Sequence, residues 1–245
     1  MKNTGHSGSI SKRRFALRQV GAIASAVAKS GSHIDKFEPR WQALLALLAV
    51  VGTSFALPRW LSLGPRWLLP TFVLVLLVPT VIAHRTGRHS LNHALGIIIS
   101  AIITLSLLGS IVLLVIALPG RKESPLRLLL SGAELWLTNI LVFALWYWRL
   151  DGGGPLRRNE RGGFGSQSFL FPQMQAEKTQ REAFGIDTWR PGFVDYLFVA
   201  FTTSSTFGPT DAPILRPWAK LFAMLQGFIS LTIVVLLISR AVGVL

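Results

Sequence analysis

The sequence predicts an all-α fold of polytopic membrane helices: five spans plus a re-entrant half-helix, or alternatively six spans. Three observations carry this. Of 245 residues, 51% are hydrophobic and the mean hydropathy is +0.49, a membrane composition rather than that of a soluble domain. The charges cluster between long apolar runs. Finally, residues 191–245 place a short apolar segment (193–201), a hydroxyl-rich turn (202–211) and a long apolar run (218–245) in succession. Polar, irregular backbone survives at membrane depth only when it is buried in protein or lines a water-filled cavity. The short segment therefore reads as a half-helix and the run after it as a full span.

The net charge of +14 raises a nucleic-acid reading, but the basic residues flank apolar runs, as membrane proteins place them, so no nucleic-acid partner is expected. The absence of cysteine excludes a disulfide framework, a thiolate metal site and a cysteine nucleophile.

Residues 1–40 form a basic amino-terminal tail. Lys2, Lys12, Arg13, Arg14, Arg18, Lys29, Lys36 and Arg40 stand against Asp35 and Glu38. It reads as a tail touching anionic headgroups, although an arginine- and serine-bearing, acid-poor stretch also fits an organellar transit peptide. Arg18 interrupts the early apolar stretch, so no secretory signal is expected.

Residues 41–148 form a four-helix membrane region with apolar runs at 41–57, 67–83, 94–118 and 126–148. Pro70 and Pro79 in the second run are tolerated in membrane helices. Trp41, Trp60, Trp67, Trp146, Trp148 and Trp218 sit at or near run ends, as interfacial aromatics do. Gly96, Ser100, Gly109 and Ser110 offer close helix approach. Residues 149–190 read as a polar loop broken by Gly152, Gly153 and Gly154 before Pro155, with Phe169-Leu-Phe-Pro172 packing on something.

The last fifth of the chain carries a resemblance. Asp195-Tyr-Leu-Phe, Phe201-Thr-Thr-Ser-Ser-Thr-Phe-Gly208 and Asp211 resemble the pore helix, filter and post-filter aspartate of the tetrameric potassium-channel pore module. The run from Ala219 is similar to the start of that module's inner helix. The resemblance implies four copies around an axis and an ion pathway at Thr206, Phe207, Gly208, Pro209, Thr210 and Asp211. The family's filter is Thr-Val-Gly-Tyr-Gly, whereas this chain has Thr206-Phe-Gly-Pro-Thr210. Proline and threonine there oppose the alternating backbone that lines up carbonyls for a dehydrated ion, which weighs against potassium selectivity. The second half, with Trp146-Tyr-Trp-Arg-Leu-Asp151, Phe169-Leu-Phe-Pro172 and Trp189-Arg-Pro-Gly-Phe193, also resembles a group of uncharacterised bacterial membrane proteins, which implies no activity.

Charge and resemblance conflict over orientation. A potassium-channel arrangement puts the tail and residues 149–190 outside, although these are the most basic parts of the chain. Either residues 193–209 span, giving six helices, or the loop re-enters from the cytoplasmic side.

Glu134, about two turns into the fourth run, is an intramembrane carboxylate and hence a functional candidate for cation binding or proton relay. The structural alternative is a pair with Arg127 or a hydrogen bond with Thr138. The hydroxyls of Thr202 to Thr206 line a hydrated wall or serve packing. Asp211 reads as a charge at a cation mouth or as a turn residue, and Asp195 as a helix-start residue. Asn139 and Gln226 read as interhelical hydrogen-bond partners, and Gly227 as a packing residue or, by analogy, a hinge. His84, His89 and His93 lack a partner carboxylate or thiol nearby, so no metal site is expected. No catalytic constellation or cofactor motif is present; the chain is not expected to be an enzyme or to carry a cofactor.

The expectation is therefore a multi-pass protein of the cell membrane, in contact with the lipid bilayer. It would be a homo-oligomer, a tetramer if a channel, with a pore module passing monovalent cations. The alternative is a non-conducting membrane protein of scaffold or assembly type that uses the same hairpin for packing.

Overall fold

Each apolar run forms a helix, and the residues at its borders set its ends. The computed structural model describes residues 41–242 apart from 87, 118–123, 162–166, 187–188 and 209–210; the basic tail lies outside the described residues. The four runs become α1 (Trp41–Ala56), α2 (Leu68–Arg85), α3 (His89–Ala117) and α4 (Pro125–Leu150). The connection after them holds α5 (Pro155–Arg161), α6 (Pro172–Gln175) and α7 (Lys178–Ala183). The half-helix is α8 (Phe193–Thr206), and α9 (Pro217–Val242) closes the chain. Proline opens α4, α5, α6 and α9, where its fixed φ suits the first turn and its missing N–H would have had no helical partner. The fold is all-helical: among the described residues there is no strand, and one isolated bridge joins Phe169 to Ile214.

Three stretches are long and apolar enough to cross a membrane: Ser90–Ile116, Leu126–Gly153 and Pro217–Ser239. The apolar helices Trp41–Ala56 and Leu68–Ala83 are shorter. Helices α1 to α4 run antiparallel. Trp41, Arg85, His93 and Arg149 meet around one cleft at one end, while Leu57, Leu69 and Ser110 meet at the other. Arg85, Arg149 and Arg157 lie at the first end, hereafter the basic end; Arg66 lies at the far end. Val50, Val73, Ile99, Ile103 and Val142 are fully or almost fully buried between the two ends and close the middle of the bundle.

The segment from 149 to 190 is not the open loop that its glycines suggest. The positive φ angles of Gly152 (59°), Gly153 (82°) and Gly154 (93°) turn the chain sharply at the end of α4. A Cβ on Gly152 would lie 2.8 Å from Arg158 Cγ, so the turn is also tight. Arg158 reaches back across it. Its Nη1 donates to the carbonyls of Trp148 (2.8 Å) and Asp151 (2.7 Å), groups that the end of a helix leaves without partners. The Asp151 carboxylate accepts the Ser168 N–H and the Tyr196 hydroxyl, the latter at 2.7 Å. Phe169 then packs its ring on Tyr147, Tyr196 and Trp218, at centroid distances of 4.9, 5.9 and 6.3 Å. The expected packing of Phe169-Leu-Phe-Pro172 is thus an aromatic plug over the basic ends of α4, α8 and α9.

Arg158→Met removes the donor to two carbonyls and the cation beside buried Asp151. It is expected to lower stability by about 2–4 kcal/mol. Lys220→Ala, on an exposed position of α9, should change it by less than about 0.5 kcal/mol. Thermal unfolding in detergent, followed by tryptophan fluorescence, checks this; equal effects would contradict the capping role.

Candidate functional site: a half-depth hairpin

Helix α8 begins at the basic end. Phe193 meets the Trp148 ring edge-on at 6.0 Å, and the Gly192 N–H donates to the Asp195 carboxylate at 2.7 Å, so Asp195 caps the first turn as its position suggests. The buried face, Tyr196, Val199, Ala200, Thr203 and Ser204, packs on α4 and α9. The hydroxyl-rich stretch read as a turn from residue 202 is helical through Thr206. The side chains of Thr203 and Ser205 donate back to the carbonyls four residues earlier, at 2.7 and 2.8 Å, and Thr202 to the carbonyl three residues earlier at 3.0 Å. Hydroxyls bonded this way need no water, so the helix persists.

The helix stops at Phe207, whose φ of 59° and ψ of 21° are left-handed, an uncommon conformation for a residue with a Cβ. Thr206 Oγ1 lies 2.7 Å from the carbonyls of both Thr202 and Gly208, and its one proton serves one of them at a time. The chain then returns to the basic end. The Leu215 N–H donates to the Ser168 carbonyl (2.7 Å) and the Leu170 N–H to the Pro213 carbonyl (3.0 Å).

A polar cluster between α4, α8 and α9 fixes where α8 ends. Gln226 is wholly buried. Its Nε2 donates to the Ala200 carbonyl (2.7 Å) and to Ser204 Oγ (2.8 Å), and its Oε1 accepts the Tyr147 hydroxyl (2.6 Å). Ser230 Oγ donates to the Ser204 carbonyl at 2.5 Å and accepts Trp136 Nε1 at 2.9 Å. Asn139 Nδ2 lies 3.3 Å from the Gln226 carbonyl and 3.4 Å from Ser204 Oγ. Asn139 stands midway along α4, so α8 terminates at about half the depth of the bundle.

The predicted site residues divide. Thr206, Phe207 and Asp211 are exposed at the hairpin tip, and Gly208 beside them is half-buried. Pro209 and Thr210 lie outside the described residues. Glu134 lies five residues before Asn139 on α4, which turns it by about 140° relative to that side chain. Of the structural alternatives for its carboxylate, the Thr138 bond goes instead to the Glu134 backbone carbonyl (2.8 Å), with Thr138 Oγ1 also 3.2 Å from Thr53 Oγ1. Glu134 Oε2 is buried without a hydrogen-bond partner among the described residues. Asn139 and Gln226 join helices as expected. Gly227 faces the Phe207 carbonyl, where an added Cβ would make ordinary contact at 3.6 Å, and α9 is one continuous helix through it. Tyr147, Ser230 and Trp136 were missed. Their signal was spacing: Gln226 and Ser230 are one turn apart on α9, and Asn139, Phe143 and Tyr147 share one stripe of α4.

No protein-family model, curated protein or solved structure matches the chain.

Gln226→Leu strands the Tyr147 hydroxyl and withdraws a donor from the Ala200 carbonyl and Ser204. It is expected to destabilise the protein by about 1–3 kcal/mol. Gly227→Ala is expected to leave stability within about 0.5 kcal/mol of the parent. Unfolding midpoints of the two variants in one detergent decide whether the polar cluster or the small residue holds the hairpin.

Proposed function

We propose that the chain is a multi-pass protein of the cell membrane that passes small monovalent cations through a pore formed where several copies bring their α8–α9 hairpins together. The observation that supports this most is the course of the chain: α8 descends to half depth, turns at Phe207 and returns to the same end before α9 crosses. The carboxy-terminal, negative end of the α8 dipole then points at the middle of the membrane, where it favours a cation. Thr206, Phe207 and Asp211 remain on the outside of a single copy, free to meet neighbours, four of them if the potassium-channel resemblance holds.

In this reading α1, α2, α3, α4 and α9 all cross, and the basic end is cytoplasmic by the positive-inside rule. The hairpin then opens to the cytoplasm, the inverse of the module that it resembles. A second reading, a non-conducting scaffold, has its own support: the hydroxyls of Thr202, Thr203 and Ser205 turn back onto their own helix and Ser204 joins the packing cluster.

Cation flux into liposomes holding the full chain separates the two. Asp211→Asn is expected to reduce flux several-fold, and an unchanged flux in Glu134→Gln would remove that carboxylate from the ion pathway. Absence of flux at every voltage and pH tested would leave the scaffold. Orientation has a clean probe because the chain has no cysteine. A single cysteine in place of Lys178, whose side chain is 84% exposed, should react with an impermeant maleimide only after the cell is opened.

A further inference from the structure

A cleft of about 580 Å³ opens at the basic end between α1, α2, α3 and the turn after α4. This volume is typical of a small-molecule site. Its two parts differ in chemistry. Leu44 and Leu47 of α1 and Leu77 and Val81 of α2 make an apolar wall along the membrane helices. Arg85, at the end of α2, Arg149, in the last turn of α4, and Arg157, in α5, converge on the outer part. No aspartate or glutamate is among the described lining residues.

The basic part is built into the fold. Arg149 is only 7% exposed and its guanidinium passes directly over Gly96 of α3. A Cβ at position 96 would overlap its Nη1, so with any other residue there the guanidinium would have to move; Gly96 lets it lie against α3. The Arg149 guanidinium lies 5.8 Å from the centre of the Trp148 ring, which also lines the cleft. Asn92 Nδ2 donates to the Thr80 carbonyl at 3.1 Å and braces α3 against the wall formed by α2.

We propose that this cleft binds one anionic phospholipid, with its phosphate on Arg85, Arg149 and Arg157 and an acyl chain along Leu44, Leu47, Leu77 and Val81. Guanidinium groups match phosphate oxygens in geometry and charge, and basic pockets between membrane helices hold anionic headgroups in this way. The apolar wall selects a lipid over a free phosphate. The amino-terminal tail, which leads into Trp41 at the cleft, is no charge match: its eight Lys and Arg have the sign of the rim. The proposal stands apart from ion conduction and holds for either reading of the hairpin.

The test uses the full chain, stripped of lipid in a neutral detergent. It is titrated separately with phosphatidylglycerol, phosphatidylcholine, inorganic phosphate and palmitate. Adducts are read by native mass spectrometry and stability by thermal unfolding. One phosphatidylglycerol per chain should bind saturably and raise the unfolding midpoint, and the other three should not. The double variant Arg85→Gln, Arg157→Gln changes two exposed side chains and should fold with an unchanged lipid-free midpoint. It should bind phosphatidylglycerol about thirtyfold more weakly, from roughly fivefold per arginine at a membrane surface. Val81→Trp, which fills the apolar wall with the charges intact, should weaken binding as well. Equal binding of phosphatidylcholine, equal stabilisation by phosphate or palmitate alone, or parent-like binding by both variants would each overturn the proposal.

Discussion

A helix that ends inside an apolar bundle leaves its last carbonyls with neither water nor a next turn to bond, and a bare buried group costs on the order of a few kcal/mol. The structure around α8 answers this constraint. Ser230 of α9 donates to the Ser204 carbonyl, Gln226 to the Ala200 carbonyl, and Thr206 folds its hydroxyl back onto neighbouring carbonyls. Tyr147 and Asn139 of α4 hold Gln226 and Ser204 in turn. Because these bonds come from two helices, α8 can stop at half depth only where α4 and α9 are already side by side. The hairpin is therefore part of the bundle and not a loop added to it.

The same problem recurs at the basic end. The carbonyls that close α4 are met by Arg158, delivered by a turn of three glycines, and the buried Asp151 is met by Ser168 and Tyr196. This second polar cluster ties the long connection to the foot of α8, and Phe169 seals it. Residues 168–170 and 213–215 then run alongside each other, which closes the return path of the hairpin. Two polar clusters, one at half depth and one at the surface, thus set both ends of α8. Its outer face and tip are left free: Val194, Phe198, Phe201 and Phe207 are about half exposed or more. A surface of that kind suits hydrocarbon or another copy.

The arginines of the basic end serve different purposes. Arg158 closes a helix, whereas Arg85, Arg149 and Arg157 gather on the rim of the cleft. Even Gly96, one of four small residues on α3 that suggest helix–helix contact, makes room for a guanidinium. Charge counted along the sequence reports the total at one end of the bundle, but not which charges close a helix and which line the cleft.

The helices, their approximate borders and the half-helix were legible in the amino-acid order, because hydropathy and proline positions act locally. So was the role of Asp195, three residues from the N–H that it caps. The polar partners Asn139 and Gln226 were legible as types, since an amide in an apolar run must find a bond. Their mates were not: Ser204 and Tyr147 lie 22 to 79 residues from the amides they meet, and only packing brings them together. The 202–206 stretch read as a turn from its composition, and tertiary contacts made it helix by giving its hydroxyls and carbonyls internal partners. Sequence by itself determined the membrane character and the order of elements, because both follow from the solvent that each segment prefers. The tertiary structure decided where α8 ends and which side chains share a site, because those depend on bonds between helices that are distant in the chain.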